Sequence, residues 1–178
     1  MAMRHDAIRD TEADLLKEIC RDVRTEPVLI PTQGDHLQTS TEKGYQARLD
    51  IVATGLWSNF ERTYFDVRVT YPNAPSNRSK NLTQLYETQE KEKKRKYEER
   101  VIEVEKGSFC PLIFSTSGGM GPMCIKHHKR VAQMISIKRN ENYADIMRYI
   151  RTKLRFVLLK SVLMCLRGIR DLSSILFL

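Results

Sequence analysis

Two short apolar segments, each carrying one aspartate, constrain this chain more than any other feature. They are Arg48-Leu49-Asp50-Ile51-Val52-Ala53 and Tyr64-Phe65-Asp66-Val67-Arg68-Val69. Both alternate or run apolar and are rich in β-branched residues, so each reads as a strand. Gly55 and the Trp57-Ser58-Asn59 stretch supply turn chemistry, which predicts that the two strands pair as neighbours. A carboxylate among core residues is most often a turn former or a partner for a nearby arginine. A pair on adjacent strands, with Arg68 two residues after the second, also offers a place for a divalent cation beside a fixed positive charge.

The chain has 178 residues, enough for one domain with a real core. Its net charge of +8 is unevenly spread. Residues 1–77 hold nine Lys/Arg against twelve Asp/Glu, whereas residues 122–170 hold twelve against two. An acidic half suited to cations is thus joined to a basic half suited to polyanions, nucleic acid first among them. Cys20, Cys110, Cys124 and Cys165 lack disulfide-like spacing, and Met1 to Asp10 has no apolar run of the kind a secretory signal needs. Reduced cysteines and an intracellular protein are expected. Cys124 with His127 and His128 invites a zinc reading, but no second ligand pair at suitable spacing completes it. Phe156 to Ile169 is apolar but broken by Lys160 and Arg167, too short to span a bilayer, so no membrane partner is expected.

Periodicity predicts a first helix over Asp6 to Asp22, with Ile8, Leu15, Leu16 and Ile19 on one stripe. A strand is expected over Arg24 to Ile30, with Pro27 placing it at an edge. Pro31 to Gly44 reads as a polar loop, and Tyr71 to Asn77 as a connection that is neither helix nor central strand. A long helix is expected from Asn81 to Lys106. At 100° per residue Tyr86, Glu90, Lys93, Tyr97, Val101 and Val104 share a narrow face, and a lysine on a packed face needs a partner, a role or a route to water. Gly107 reads as its C-cap. Phe109 to Thr116 reads as a buried strand. Ser117-Gly118-Gly119-Met120-Gly121 then turns into a helix over Pro122 to Lys138, whose start is either a tight turn or a phosphate cradle. No P-loop pattern is present. A last helix over Tyr143 to Ile169 carries an apolar stripe (Ile146, Ile150, Leu154, Val157, Leu158, Val162) decorated by Arg148, Arg151, Lys153, Arg155 and Lys160. The implied architecture is α/β, a mixed sheet flanked by helices. One domain is expected over 1–178, with a core of about 4–138 and a basic helical extension of about 142–170.

The order of elements, the Asp50 and Asp66 pair, and a downstream helix with Lys93 and Tyr97 resemble the PD-(D/E)XK, or restriction-endonuclease-like, superfamily. More narrowly, the chain resembles the endonuclease region that follows reverse transcriptase in some retrotransposon polyproteins. The likeness covers roughly Arg4 to Gly168. It rests on the Arg4 to Asp10, Ala47 to Ala53, Phe65 to Val69, Glu90 to Tyr97 and Pro111 to Gly119 stretches taken together. The resemblance implies metal ligation by Asp50 and Asp66. Leu49 stands where the family usually has proline before the first aspartate, and Arg68 stands where it usually has lysine. In retrotransposon members the basic residue can come from the helix, which suits Lys93, and a first-helix acid would be Glu12 or Glu18.

The resemblance further implies magnesium- or manganese-dependent phosphodiester hydrolysis of DNA in the nucleus. Asp50, Asp66 and the main-chain carbonyl of Val67 would hold the ion. Lys93 or Arg68 would stabilise the phosphate, with Tyr97 positioning the lysine. Arginine does not deprotonate, so Arg68 is no general base. The helix with Arg148, Arg151, Lys153 and Arg155 would hold the DNA backbone. The rest of a reverse transcriptase polyprotein is a further expected partner. Two rivals stand beside this expectation: a catalytically inactive nucleic-acid-binding remnant of the same fold, and an interaction protein whose basic helix docks on an acidic partner. The Lys93 to Lys96 run serves either nuclear import or a solvated helix face.

Overall fold

The computed structural model describes residues 2–32, 47–77 and 81–175, with side chains over 4–32, 47–77 and 81–164. Most of the expected 31–44 loop and the last three residues fall outside that set. The element order is α1 (Ala2–Lys17), β1 (Arg21–Thr25), β2 (Ile51–Thr54), β3 (Arg62–Thr70), α2 (Leu82–Glu103), β4 (Ser108–Ser115), α3 (Pro122–Arg139) and α4 (Tyr143–Ile175). Four strands form one mixed sheet in the order β1-β2-β3-β4. The first three run antiparallel, and β3 and β4 are parallel. A parallel pair cannot be joined by a tight turn, and α2 provides the crossover.

Alternation along the strands sorts the sheet into two faces. Ile51, Ala53, Phe65, Val67, Cys110, Leu112 and Phe114 join the larger apolar cluster with residues of α1, α3 and α4. Val52, Tyr64 and Phe109 face the other way and pack with Leu29, Leu49 and Val101, beneath α2. In α4, Ile146, Ile150, Leu154 and Leu158 sit inside the larger cluster, so this helix is bound to the core along its first half. Among the described residues no helix is long and apolar enough to cross a membrane.

Several boundaries differ from the periodicity reading. α1 ends at Lys17, and the backbone turns through 18–19 into β1. The apolar stripe continues to Ile19, which packs against the core from the turn rather than from the helix. β1 lies earlier than expected and is an edge strand, irregular between Arg21 and Arg24; Val28 makes only an isolated bridge to Arg48. The 71–77 connection contains one 3-10 turn, Pro75–Asn77.

Gly107 is not a left-handed cap. Lys106 takes that conformation, with φ of 53°, and the C-cap of α2 is Val104. Glycine stands at 107 because a Cβ there would lie 2.6 Å from the Arg62 carbonyl oxygen. At the other end, Asn81 and Gln84 form a reciprocal capping box. The glycine turn into α3 is the structural alternative, not a phosphate cradle. Glu90 of α2 fills the helix start, its Oε1 accepting from the Met123 amide at 2.8 Å.

Candidate active site

The β2–β3 register pairs Ile51 with Phe65, so the residue before β2, Asp50, stands across from Asp66. The Asp50 amide donates to the Phe65 carbonyl at 3.0 Å, which holds the bend against β3. The Asp50 carboxylate then bends onto the backbone, its Oδ2 accepting from the Val67 amide at 2.6 Å. In an extended strand a residue's N–H and C=O point to the same side, so the Val67 carbonyl also faces the end of β2. His5, from the first turns of α1, donates through Nε2 to the same Oδ2 at 3.1 Å and through Nδ1 to Asp6 at 3.2 Å.

Asp66 is paired with Lys93 of α2. The Lys93 Nζ lies 5.8 Å from the centroid of the Tyr97 ring, and the Lys96 Nζ lies 4.8 Å from it. That ring is itself set against Phe109, 5.8 Å away. Side-chain exposure rises from 9% at Asp66 through 16% at Asp50 and 20% at Lys93 to 32% at His5, a graded opening from core to solvent. Three of the residues singled out in the sequence, Asp50, Asp66 and Lys93, thus meet, and Val67 and Tyr97 adjoin them.

The electrostatics arise from these contacts. The hydrogen bond to Asp50 raises the His5 pKa to about 9 against the opposing effect of burial, so the ring is an imidazolium at neutral pH. Burial pushes the Asp66 carboxyl up and the Lys93 ammonium pulls it back; the neighbouring Asp50 charge adds to the upward push. Two carboxylates are therefore matched by two cations.

Other expected site residues lie elsewhere. The Arg68 guanidinium turns to Glu92 at 2.7 Å, at the surface, and that bond holds Glu92 below the usual carboxylate range. Glu18 pairs with Arg139 at 2.5 Å, far from the aspartates in its bonding. Glu12 is on the opposite face of the sheet. Its oxygens meet the Nε2 atoms of His127 at 3.0 Å and His128 at 2.7 Å, and His127 packs edge-on against Phe65 at 5.2 Å. Glu12 is thus no member of the Asp50–Asp66 site. The three buried side chains Glu12, His127 and His128 form a group that could hold a metal ion. Burial alone would raise the Glu12 carboxyl, but His128 and the imidazole hydrogen bonds hold it well below its ordinary value. Burial lowers His127.

On α4, Arg148 pairs with Asp145 at 3.0 Å, and the Lys153 Nζ lies 5.8 Å from the Tyr149 ring centroid. Arg148, Arg151 and Arg155 are exposed and line one shallow groove with Lys129.

The role of His5 was missed in the sequence, and Glu12, singled out there as a first-helix acid, has partners that reading did not foresee. His5 is a lone histidine 45 residues before Asp50, and Glu12 lies 115 residues before His127; no local spacing connects either pair. No family model matches the chain, and no curated protein matches it in sequence.

Proposed function

We propose that the chain is a metal-dependent DNA endonuclease of the restriction-endonuclease-like, PD-(D/E)XK type, akin to those of retrotransposon polyproteins. One observation carries this reading: Asp50 and Asp66 stand across from each other on neighbouring strands, with Lys93 paired to Asp66 and the Val67 backbone beside Asp50. Supporting it is the element order, one helix, three antiparallel strands, a crossover helix and a parallel strand.

The donor set suits magnesium or manganese, since two carboxylates and a carbonyl are hard oxygen ligands. Asp50, Asp66 and the Val67 carbonyl would hold the ion. Such an ion neutralises charge on a scissile phosphate and lowers the pKa of a bound water. The chain's own groups do the rest. The Val67 amide and His5 hold one oxygen of Asp50 and so aim the other. Lys93 carries a positive charge to the carboxylates, where the phosphate charge develops. Tyr97 restrains that lysine through its ring face. Arg68, engaged with Glu92 at the rim, serves the backbone of a bound strand rather than the reacting phosphate. Arg148, Arg151, Lys153 and Arg155 hold the DNA backbone, which brings affinity without sequence readout. A nuclear protein, working beside a reverse transcriptase segment, fits this activity.

Asp50→Ala tests the reading. It should abolish cleavage while leaving the circular dichroism spectrum and DNA affinity near those of the wild type. Wild-type chain that binds DNA in a salt-dependent way yet never cuts it in Mg²⁺ or Mn²⁺ would mark an inactive remnant instead.

A further inference from the structure

We propose that Glu12, His127 and His128 form a zinc site, separate from the Asp50–Asp66 pair, that clamps α1 to α3. One ligand atom from each of the three residues lies within 4.8 Å of the others. The side chains are 0%, 0% and 1% exposed. The set is two imidazoles and a carboxylate, a donor combination that zinc favours and magnesium does not.

Charge argues for a cation here. A carboxylate sealed from water must be compensated by what is packed against it. The partners its oxygens meet are the two histidines, each itself a metal-ligand type. The ligand atoms are close to the required spacing. Tetrahedral zinc with bonds of about 2.0–2.1 Å separates its ligands by roughly 3.3 Å. Glu12 Oε2 stands 3.0 Å from the Nε2 of His127 and Oε1 stands 2.7 Å from that of His128, so spreading by about 0.3 and 0.6 Å admits the ion.

Cys124 completes the surroundings rather than the ligand set. Its sulfur is 3.7 Å from the Nδ1 of His128, the nitrogen away from Glu12, where it fixes the ring's orientation as outer partners of metal-bound histidines do. Three protein ligands leave zinc's fourth position to a water, and complete burial shuts that position off from substrate, so the site would serve the fold and load as the chain folds. Its consequence is positional. Glu12 lies seven residues after His5, two turns along the same helix, so anchoring Glu12 to α3 also holds His5 over Asp50.

The test is metal analysis of tag-free chain, purified without chelator and supplied with Zn²⁺. One zinc per chain is expected in the wild type and less than about a tenth of that in Glu12→Gln and His128→Asn. Asp50→Ala should keep its zinc, which separates this outcome from failure of the nuclease reading. A strong chelator should lower the wild-type melting temperature by at least about 5 °C, with recovery on adding Zn²⁺ but not Mg²⁺. The wild-type readings do not depend on whether a variant folds. Folded wild-type chain that takes up no zinc, with a melting temperature indifferent to chelator and Zn²⁺, would overturn the proposal. So would zinc that is lost with Asp50→Ala and kept in Glu12→Gln.

Discussion

Lys93 and Arg68 are both cations close to Asp66 in sequence or space, yet their surroundings give them different work. Lys93 is mostly buried and paired with Asp66, whereas Arg68 meets an exposed Glu92. Under the nuclease proposal Lys93→Met should lower the cleavage rate on the order of 10²-fold, as loss of a transition-state donor does. Arg68→Ala should change it only a few-fold and leave stability within about 1 kcal/mol, as for an exposed ion pair. Single-turnover rates on one plasmid substrate check both. His5 gives a pH signature in metal-free buffer. Its pKa rises from 6.5 to about 9 on folding, so its stabilisation is complete below pH 6.5 and is lost as pH climbs through 9. Denaturant unfolding with chelator present should show a loss on the order of 1 kcal/mol over that window, after allowance for solvent screening. His5→Asn should remove the slope. At this scale the sequence was readable where a period connects residues. The helical period put Lys93 on the packed face of α2 and the strand pattern put Asp50 and Asp66 on neighbours. His5 and Glu12 each act on a partner far along the chain, and only the packing of α1 brings them there.

The elements hold their places through a few tight approaches. Where α2 turns into β4, the chain passes so close to Arg62 that no side chain fits at 107. Gly107→Ala would drive a methyl group to 2.6 Å from a backbone oxygen at the start of β3, the strand that carries Asp66. A loss of about 1–3 kcal/mol is expected from such overpacking, measured as a shift of the urea midpoint at unchanged m-value. The order of elements was legible from apolar periods switching between two and 3.6 residues. The end of α1 was not, because Ile19 keeps the helical spacing while packing from a turn. Nor was the role of Gly107, since a glycine after a helix signals a left-handed cap and the close approach to β3 is a tertiary fact.

Over the whole molecule, the sheet separates two sites that share α1. His5 reaches around to Asp50, while Glu12 enters the opposite face beneath α3 and α4. The charge asymmetry of the sequence becomes a spatial one, with the basic groove on α4 and the carboxylate pair between β2, β3 and α2. Each arginine that neutralises one phosphate contributes about 0.9 to the slope of log affinity against log salt. Under the proposal that this groove holds DNA, the combined change Arg148→Ala, Arg151→Ala and Arg155→Ala should flatten that slope by roughly 2–3 and weaken binding to all duplexes alike. Fluorescence anisotropy over a salt series reads it.

Asp50 and Asp66 are proposed to form a metal-dependent cutting site. Supercoiled plasmid incubated with the chain, with and without Mg²⁺ or Mn²⁺ and beside Asp66→Ala, decides the matter. Nicked or linear product that needs the metal and vanishes with Asp66→Ala is the expected result. Intact plasmid under every condition, or cutting that persists in Asp66→Ala, would contradict it.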